Sequence, residues 1–560
     1  MGVEAGRLQL SRRHPQTRGH GEPPGLQFDP AAGRDQAEQR DLHPAPLTLS
    51  ANALLRYGDK PHLGFEIQTN PFWLSEALPI MPMWQQYRPR GRVQAHIRGS
   101  GNPEDFSAMD YSGSIALNTF SFLPDPKLKP VTGISSTITF QGNSLETGSM
   151  SARYGDSLLN LRGRVKSLKN AEAELTLASP QFFLRDINLA PPPPAKANAS
   201  IRRLHAVLAV RDGRYTINRL SGLFNASNFS VSGDYTAGAA PTANLALSSS
   251  NLDLNDLLLL ARLSDQGSAD NHTPSRLNLN LKLAAESGKY DKVLFSRLNA
   301  TLHQENGILY LQGMEAGVYN GRVTAKGRIA PGNGQERRYD LNVGVERVNA
   351  EHLLQALDVT REVTGTLNLS GDLTARGATL ADLKKTALGN VKLRLEKGTL
   401  RRFNVLSKMF SILNVSQLLK FQLPDMVADG MPYNNIHGSF AFSDGTIATQ
   451  NLFINSDAMN ISVIGKADMV REELNFTIGV QPLQTVDKIV NRIPVVGWLL
   501  TGKGKSVVTA YFEAKGKWSD PQVSAIPVKS MTKGALNIFK RVFELPVKLF
   551  TDTGEVILGQ

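Results

Sequence analysis

The stretch nearest to a known chemical pattern is GWLLTGKG, Gly497 to Gly504. Gly497, Gly502 and Lys503 have the spacing of a phosphate-binding loop, in which backbone N–H groups and a lysine hold nucleotide phosphates. Gly504 stands where a Ser or Thr must bind magnesium, and Trp498, Leu499 and Leu500 fill the turn with bulk. GSGNPEDF, Gly99 to Phe106, opens like a dinucleotide fingerprint and departs from it after its second glycine. The 10 histidines are scattered, with no pair at i, i+4 and no His-Glu-x-x-His, so a metal site has little support. There is no Gly-x-Ser-x-Gly elbow. The absence of cysteine removes thiol nucleophiles, disulfides and thiolate metal sites. The acids lie mostly beside lysines in turns. These residues predict a protein that is not an enzyme and carries no cofactor or metal.

The elements around them follow one repeated plan. GSFAFSDGTIATQNLFINSDAMNISVIGKADM, Gly438 to Met469, alternates apolar and polar residues about an Asp-Gly pair and returns to a glycine. From the second turn residue to the closing glycine the interval is 20 in each of four copies: Asn143 to Gly163, Gly213 to Gly233, Gly307 to Gly327 and Gly445 to Gly465. Asp212-Gly213, Asn306-Gly307 and Asp444-Gly445 are pairs suited to a two-residue type I′ hairpin, and Gly142-Asn143 is related. Side chains alternate along a strand, so the repeated apolar positions give each hairpin one apolar face. The candidates for that face are Phe140 and Leu161, Val210 and Val231, Leu309 and Val323, and Phe440, Phe442, Ile461 and Val463. Phe476 and Ile478 join them from the strand after the last copy.

A second module follows each copy: a strand, a short break, then an apolar segment. It reads AELTLASPQFFLRDI (173–187), ANLALSSSNLDLNDLL (243–258), YDLNVGVERVNAEHLL (339–354) and LNFTIGVQPLQTVDKI (474–489), with LGFEIQTNPFWLSEAL (63–78) near the front. The expectation is a mainly β chain forming a long, repetitive, antiparallel twisted sheet with an apolar groove and a few amphipathic helices, one of them at Phe403–Phe421. Its parts are residues 46–360, repeating units; 361–525, a more distinctive C-terminal region; and 526–560, a basic helix and tail. Residues 1–45 contain arginine but no lysine, and the repeats start in mid-unit at about residue 46. That segment is expected to be disordered or non-native, in front of a longer natural protein.

Something must cover the apolar face. A second sheet is one answer; acyl chains are another, since burial is worth about 0.8 kcal/mol per methylene. Periodicity leaves both open.

The net charge is +12, and residues 481–550 hold 11 lysines and arginines against 4 acids. A cationic end of this kind suits an anionic membrane surface or nucleic acid. KSMTKGALNIFKRVFELPVKLF (529–550) reads as an amphipathic helix up to Pro546, with Phe539, Val542 and Phe543 on one face and Lys540 and Arg541 largely opposite. It is a candidate membrane contact, or a cap on the open edge of the sheet. NRIPVVGWLLTGKGKS (491–506) is read as a loop that either touches lipid through Trp498 and Leu499 or packs under that helix. No apolar run reaches the length of a transmembrane helix.

Residues from about Gly365 to Val523 resemble the C-terminal region of the AsmA-like family, which includes AsmA, TamB and YhdP. The marks are LSGDLTARGATLADL, ALGNVKLRLEKGTL, FNVLSKMFSILNVSQLLKF, GMPYNNIHGSFAFSDGTIATQNLFI, ISVIGKADMVREELNFTIGVQP and YFEAKGKWSDPQV. The resemblance implies a repeating β-groove in the Gram-negative periplasm, carrying phospholipid acyl chains toward the outer membrane. It also implies an inner-membrane anchor in a full-length form, and it turns the partner expectation from nucleic acid to lipid and membrane. The alternative is a non-enzymatic scaffold for outer-membrane proteins, with envelope proteins as partners at its sheet edges.

Overall fold

The computed structural model describes residues 3–11, 47–56, 60–80, 82–105, 108–126, 128–167, 172–187, 189, 199–266, 277–332, 336–401, 408, 430–483, 498–501 and 507–544. The chain is mainly β and mostly antiparallel, as its alternation predicts. It divides into two compact units, Met1–Ala237 with Leu260–Ala269 and Gly238–Leu259 with Asp270–Gln560.

In the first unit β1 (Val3–Ser11) pairs with β2 (Thr48–Arg56), and β2 with β3 (His62–Thr69). β3 and the short β4 (Phe72–Trp73) both pair with β5 (Arg90–Gly101). β6 (Asp110–Phe122) and β7 (Val131–Gln141) continue the ladder. The next strand is broken into β8 (Ser144–Thr147) and β9 (Met150–Tyr154), each pairing with both β7 and β10 (Ser157–Ser167). β11 (Glu172–Phe183), β12 (Ser200–Arg211), β13 (Arg214–Phe224) and β14 (Ser227–Thr236) follow in order. The segment expected to be disordered thus contributes β1; residues 12–45 lie outside the described residues.

The second unit opens with β15 (Thr242–Ser249) and β16 (Leu252–Asp253), both parallel to β17 (Asn278–Tyr290). α1 (Leu254–Gln266) starts the crossover that a parallel pair requires. The ladder is then antiparallel through β18 (Val293–Glu305), β19 (Ile308–Val318), β20 (Gly321–Pro331) and β21 (Arg337–Asn349). α2 (Ala350–Ala356), capped by the Asn349 side chain, leads to β22 (Thr366–Gly377), which pairs with β21. The division expected near residue 360 therefore does not interrupt the ladder. α3 (Leu380–Thr386) starts on a Thr379–Asp382 capping box and leads to β23 (Leu388–Leu400). β24 (Met431–Ser443), β25 (Thr446–Asn455), β26 (Met459–Asp468) and β27 (Glu473–Pro482) extend it. β28 (Trp498–Thr501) and β30 (Gln522–Ala525) share one side of β29 (Val507–Lys517), whose other side pairs with β27. α4 (Lys533–Glu544) ends the described chain.

The repeated hairpins are where the spacing places them. Asp212, Asn306 and Asp444 have φ of +48°, +51° and +48°, and Gly213, Gly307 and Gly445 each have +77°, the left-handed pair of a type I′ turn. In the first copy only Gly142 takes a positive φ, +54°. The closing glycine marks a bulge. Pairing jumps between Ile217 and Leu220, Leu311 and Met314, and Thr449 and Leu452, directly after the residues opposite Gly233, Gly327 and Gly465. In the first copy the break between Thr147 and Met150 falls at the same place, and the Gly163 N–H donates to Thr147 Oγ1 at 2.8 Å. A Cβ on Gly465 would overlap the Asn475 carbonyl oxygen. Bulges bend a strand and raise its twist, so the interval of twenty encodes a bend as well as a turn.

Candidate functional site

Following the register of the second unit one strand at a time generates two long rows on one face. The first, which we call the hairpin row, runs Leu281, Leu302, Leu311, Gly327, Leu341, Leu373, Gly389, Phe442, Ile447, Ala467, Leu474 and Gly516. It passes beside the tight turns at Asn306-Gly307 and Asp444-Gly445. The second, the loop row, runs Val348, Leu367, Leu395, Ile436, Ile454, Ile461, Val480 and Ala510, beside the longer connections. Neither row contains a polar side chain. Their burial differs: every residue of the loop row is buried, whereas Leu302, Leu311, Leu373, Phe442 and Ile447 are half-buried and Leu341 is exposed.

The first unit has matching rows. One runs Ala51, Ile67, Ile97, Gly113, Phe140, Leu145, Val165, Ala173, Val210, Tyr215 and Tyr235. Another runs Met150, Leu161, Leu177, Ala206, Leu220 and Val231. Neither carries a charge.

All of the face candidates read from the sequence lie on these faces. Phe140, Leu161, Val210 and Val231 are in the rows of the first unit and half-buried. Phe442 is in the hairpin row and Ile461 in the loop row. Leu309, Val323, Phe440, Val463, Phe476 and Ile478 lie on the same face of the second unit, and of these Ile478 is buried.

The opposite face of the same strands is polar. Asn280 Oδ1 meets His303 Nδ1 at 2.7 Å, Arg328 pairs with Asp340 at 2.7 Å, and Asn342 donates to Asp372 at 2.7 Å. Burial alone would raise the Asp340 carboxyl, but Arg328 and Arg338 outweigh it and hold it below its ordinary value. Charge is thus sorted to one side of the ladder. No group of acids and histidines that could hold a metal occurs among the described residues.

The family model described as YhdP protein matches residues 198–523, more than half of the chain. The chain belongs to the YhdP family. No curated protein and no solved structure matches it. YhdP-family membership gives a bacterial, envelope-associated protein related to lipid transport. Among the described residues no helix is long and apolar enough to cross a membrane.

The C-terminal helix of this YhdP-family chain corrects the membrane-contact reading for its phenylalanines. α4 turns its apolar side onto the sheet, on the polar face opposite the rows. Phe539 is fully buried, Val542 is buried and Phe543 half-buried, while Lys540 and Arg541 remain exposed. Phe539 meets Tyr511 edge-on with ring centroids 5.2 Å apart, and Phe543 meets Phe453 at 6.1 Å. Gly479 makes the room: a Cβ there would stand 3.0 Å from Phe539 Cδ1. Burial pushes the Tyr511 hydroxyl pKa up. Next to this seat, burial and then Arg394 push the His437 imidazole down. The helix forms a cap because this part of the polar face has an aromatic niche the sequence does not advertise. Trp498 and Leu499 are in β28, paired with Ala510 and Thr509, where the sequence reading had a loop. The helix expected at Phe403–Phe421 lies outside the described residues, apart from Lys408.

Sequence reasoning missed Asp186. Its carboxylate is buried and accepts from Lys129 Nζ at 2.8 Å, Ser157 Oγ at 2.7 Å, and the N–H groups of Asp156 and Ser157 at 3.0 Å each. Gly155 leaves the space it fills. Glu76 holds the corresponding place in the first module, where Oε2 accepts from Leu47 N at 3.0 Å. The signal was an acid two residues after the buried Leu74 and Leu184.

Proposed function

We propose that this chain carries phospholipid acyl chains between membranes of the cell envelope, along the uncharged sheet faces. The observation that carries the reading is the hairpin row: twelve strands crossed by side chains without charge or hydrogen-bonding groups, most of them neither buried nor fully exposed. A sandwich interior would close such a row. A groove floor contacted by a ligand would leave it half-open. Strands spaced about 4.8 Å apart make twelve of them roughly 50–60 Å of continuous apolar surface. A sixteen-carbon tail loses about 12 kcal/mol on leaving such surface for water, so a continuous path lets it move without that penalty. Family membership supports the same reading.

The test is a photo-crosslinking residue at Val323 or Phe440 on the apolar face and at Lys326 on the polar face. Crosslinks to phospholipid from the first two and none from the third are expected. Equal labelling from both faces, together with no bound phospholipid in native mass spectrometry, overturns the reading.

A further inference from the structure

β4 and the segment between β4 and β5 present aromatic residues that no described residue of the first unit covers. Its root is fixed: Phe72, Leu74 and Ala77 pack with Val93, and Leu123 N–H donates to the Tyr87 carbonyl at 2.8 Å. Its outer part runs as 3₁₀ turns over Leu78–Ile80 and Pro82–Tyr87. Trp84 is 49% exposed, and Trp73 and Tyr87 are each 37% exposed. Trp84 and Tyr87 meet edge-on at 6.4 Å, which holds both rings outward as one patch. Trp518 is exposed singly, at 41%, whereas Trp73, Trp84 and Tyr87 are exposed within one 15-residue segment, and it is grouped apolar surface that marks an interaction site.

The charges beside the patch select its partner. Arg88, Arg90 and Arg92 follow directly, and the Arg92 guanidinium lies 5.6 Å from the Trp73 ring centroid. Among the described residues none of the three arginines has an ion-pair partner at these distances. The only acid from Asn70 to Arg92 is Glu76, already engaged with Leu47. Tryptophan and tyrosine favour the headgroup level of a bilayer, where the ring body is apolar and the polar edge stays wet. Arginines next to them gain attraction from anionic lipid. We infer that Trp73, Trp84 and Tyr87 with Arg88, Arg90 and Arg92 form a docking patch for an anionic phospholipid surface. It lies outside the uncharged rows, so groove crosslinking can fail while docking succeeds, and the reverse.

The experiment uses the full chain with the two patch tryptophans, Trp73 and Trp84, as its only tryptophans (W498F/W518F) and vesicles of phosphatidylglycerol and phosphatidylcholine or of phosphatidylcholine alone. Tryptophan emission should shift to the blue with the anionic vesicles and be quenched by brominated acyl chains. In co-sedimentation of the otherwise native chain, W84E/Y87E should lower partitioning at least about tenfold. R88Q/R90Q/R92Q should remove most of the preference for anionic vesicles, about fivefold per arginine. Trp84, Tyr87, Arg88 and Arg90 are exposed, so W84E/Y87E should melt like the parent; Arg92 is half-buried, and R88Q/R90Q, which leaves its contact with Trp73 in place, separates lost attraction from lost packing. Unshifted tryptophan emission in W498F/W518F, or partitioning unchanged in W84E/Y87E, overturns the inference.

Discussion

The hairpin row and the loop row of the second unit are made of the same residue types on the same face, yet one is closed and the other open. Leu395 is 6% exposed in the loop row, whereas Leu373, on the neighbouring strand but in the hairpin row, is half-buried. Alternation alone cannot distinguish them. Position along the strand does: the hairpin-row edge carries the Asn306-Gly307 and Asp444-Gly445 turns and α3, none of whose residues is buried, whereas the loop-row edge carries α2, whose Ala350 is fully buried. One row is a core that holds the ladder together; the other is the surface proposed to carry acyl chains. Leu395→Ala should cost about 3–4 kcal/mol, since it opens a cavity in closed packing. Leu373→Ala should cost about 1 kcal/mol and lower phospholipid occupancy more than stability. Urea unfolding and native mass spectrometry on the pair give both quantities. Equal destabilisation with unchanged lipid would erase the distinction.

Much of this was legible. Turns, interval and apolar positions located four hairpins, and the register confirms which residues share a face. The closing glycines were visible, but not that each faces a bulge, because a bulge is a property of two paired strands. The parallel β15–β17 pair was also hidden: LDLNDLLLL carries a helix whose crossover reverses the usual pairing only when the partner strand is known. The apolar side of α4 was legible, and its destination was not. Gly479, Phe453 and Tyr511 form the niche from three strands distant in sequence, and none is distinctive alone.

Asp186 extends the contrast to a site closed by charge. Asp186→Asn should destabilise the first unit by about 2–3 kcal/mol, because Lys129 and two N–H donors lose a charged acceptor. Burial alone would raise this carboxyl, but hydrogen bonds from Lys129 and Ser157 outweigh it and place it below its ordinary value. A depressed carboxyl stabilises the fold above its unfolded pKa, and that contribution disappears as pH falls through the folded value. The gap in melting temperature between parent and variant should therefore be full at pH 6 and shrink below about pH 4. A gap constant down to pH 2.5 would remove the charge from the explanation.

The α4 seat tests whether the polar face carries its own closed region. Gly479→Leu should cost about 1–3 kcal/mol, because even a Cβ stands 3.0 Å from Phe539 and a larger side chain must displace the helix. Hydrogen exchange should rise throughout Lys533–Glu544, while exchange in β18 to β23 stays as in the parent. Unchanged protection of α4 would mean that the niche repacks.

The smallest effect falls beside the same niche and has the opposite sign. Ser462 lies between Ile461 of the loop row and Val463 of the same face, but points to the other side, next to Phe453 and Gly479 in the ladder. It is fully buried, and its Oγ has no hydrogen-bond partner among the described residues. A buried hydroxyl without a partner keeps its desolvation cost and returns nothing, so Ser462→Ala should stabilise the second unit by about 1 kcal/mol. The gain should vanish in the Gly479→Leu background, because a displaced helix lets water reach the hydroxyl. A double-mutant cycle measures this coupling directly. Additive effects would place Ser462 outside the helix seat and make the closed patch on the polar face smaller than the contacts of α4 suggest.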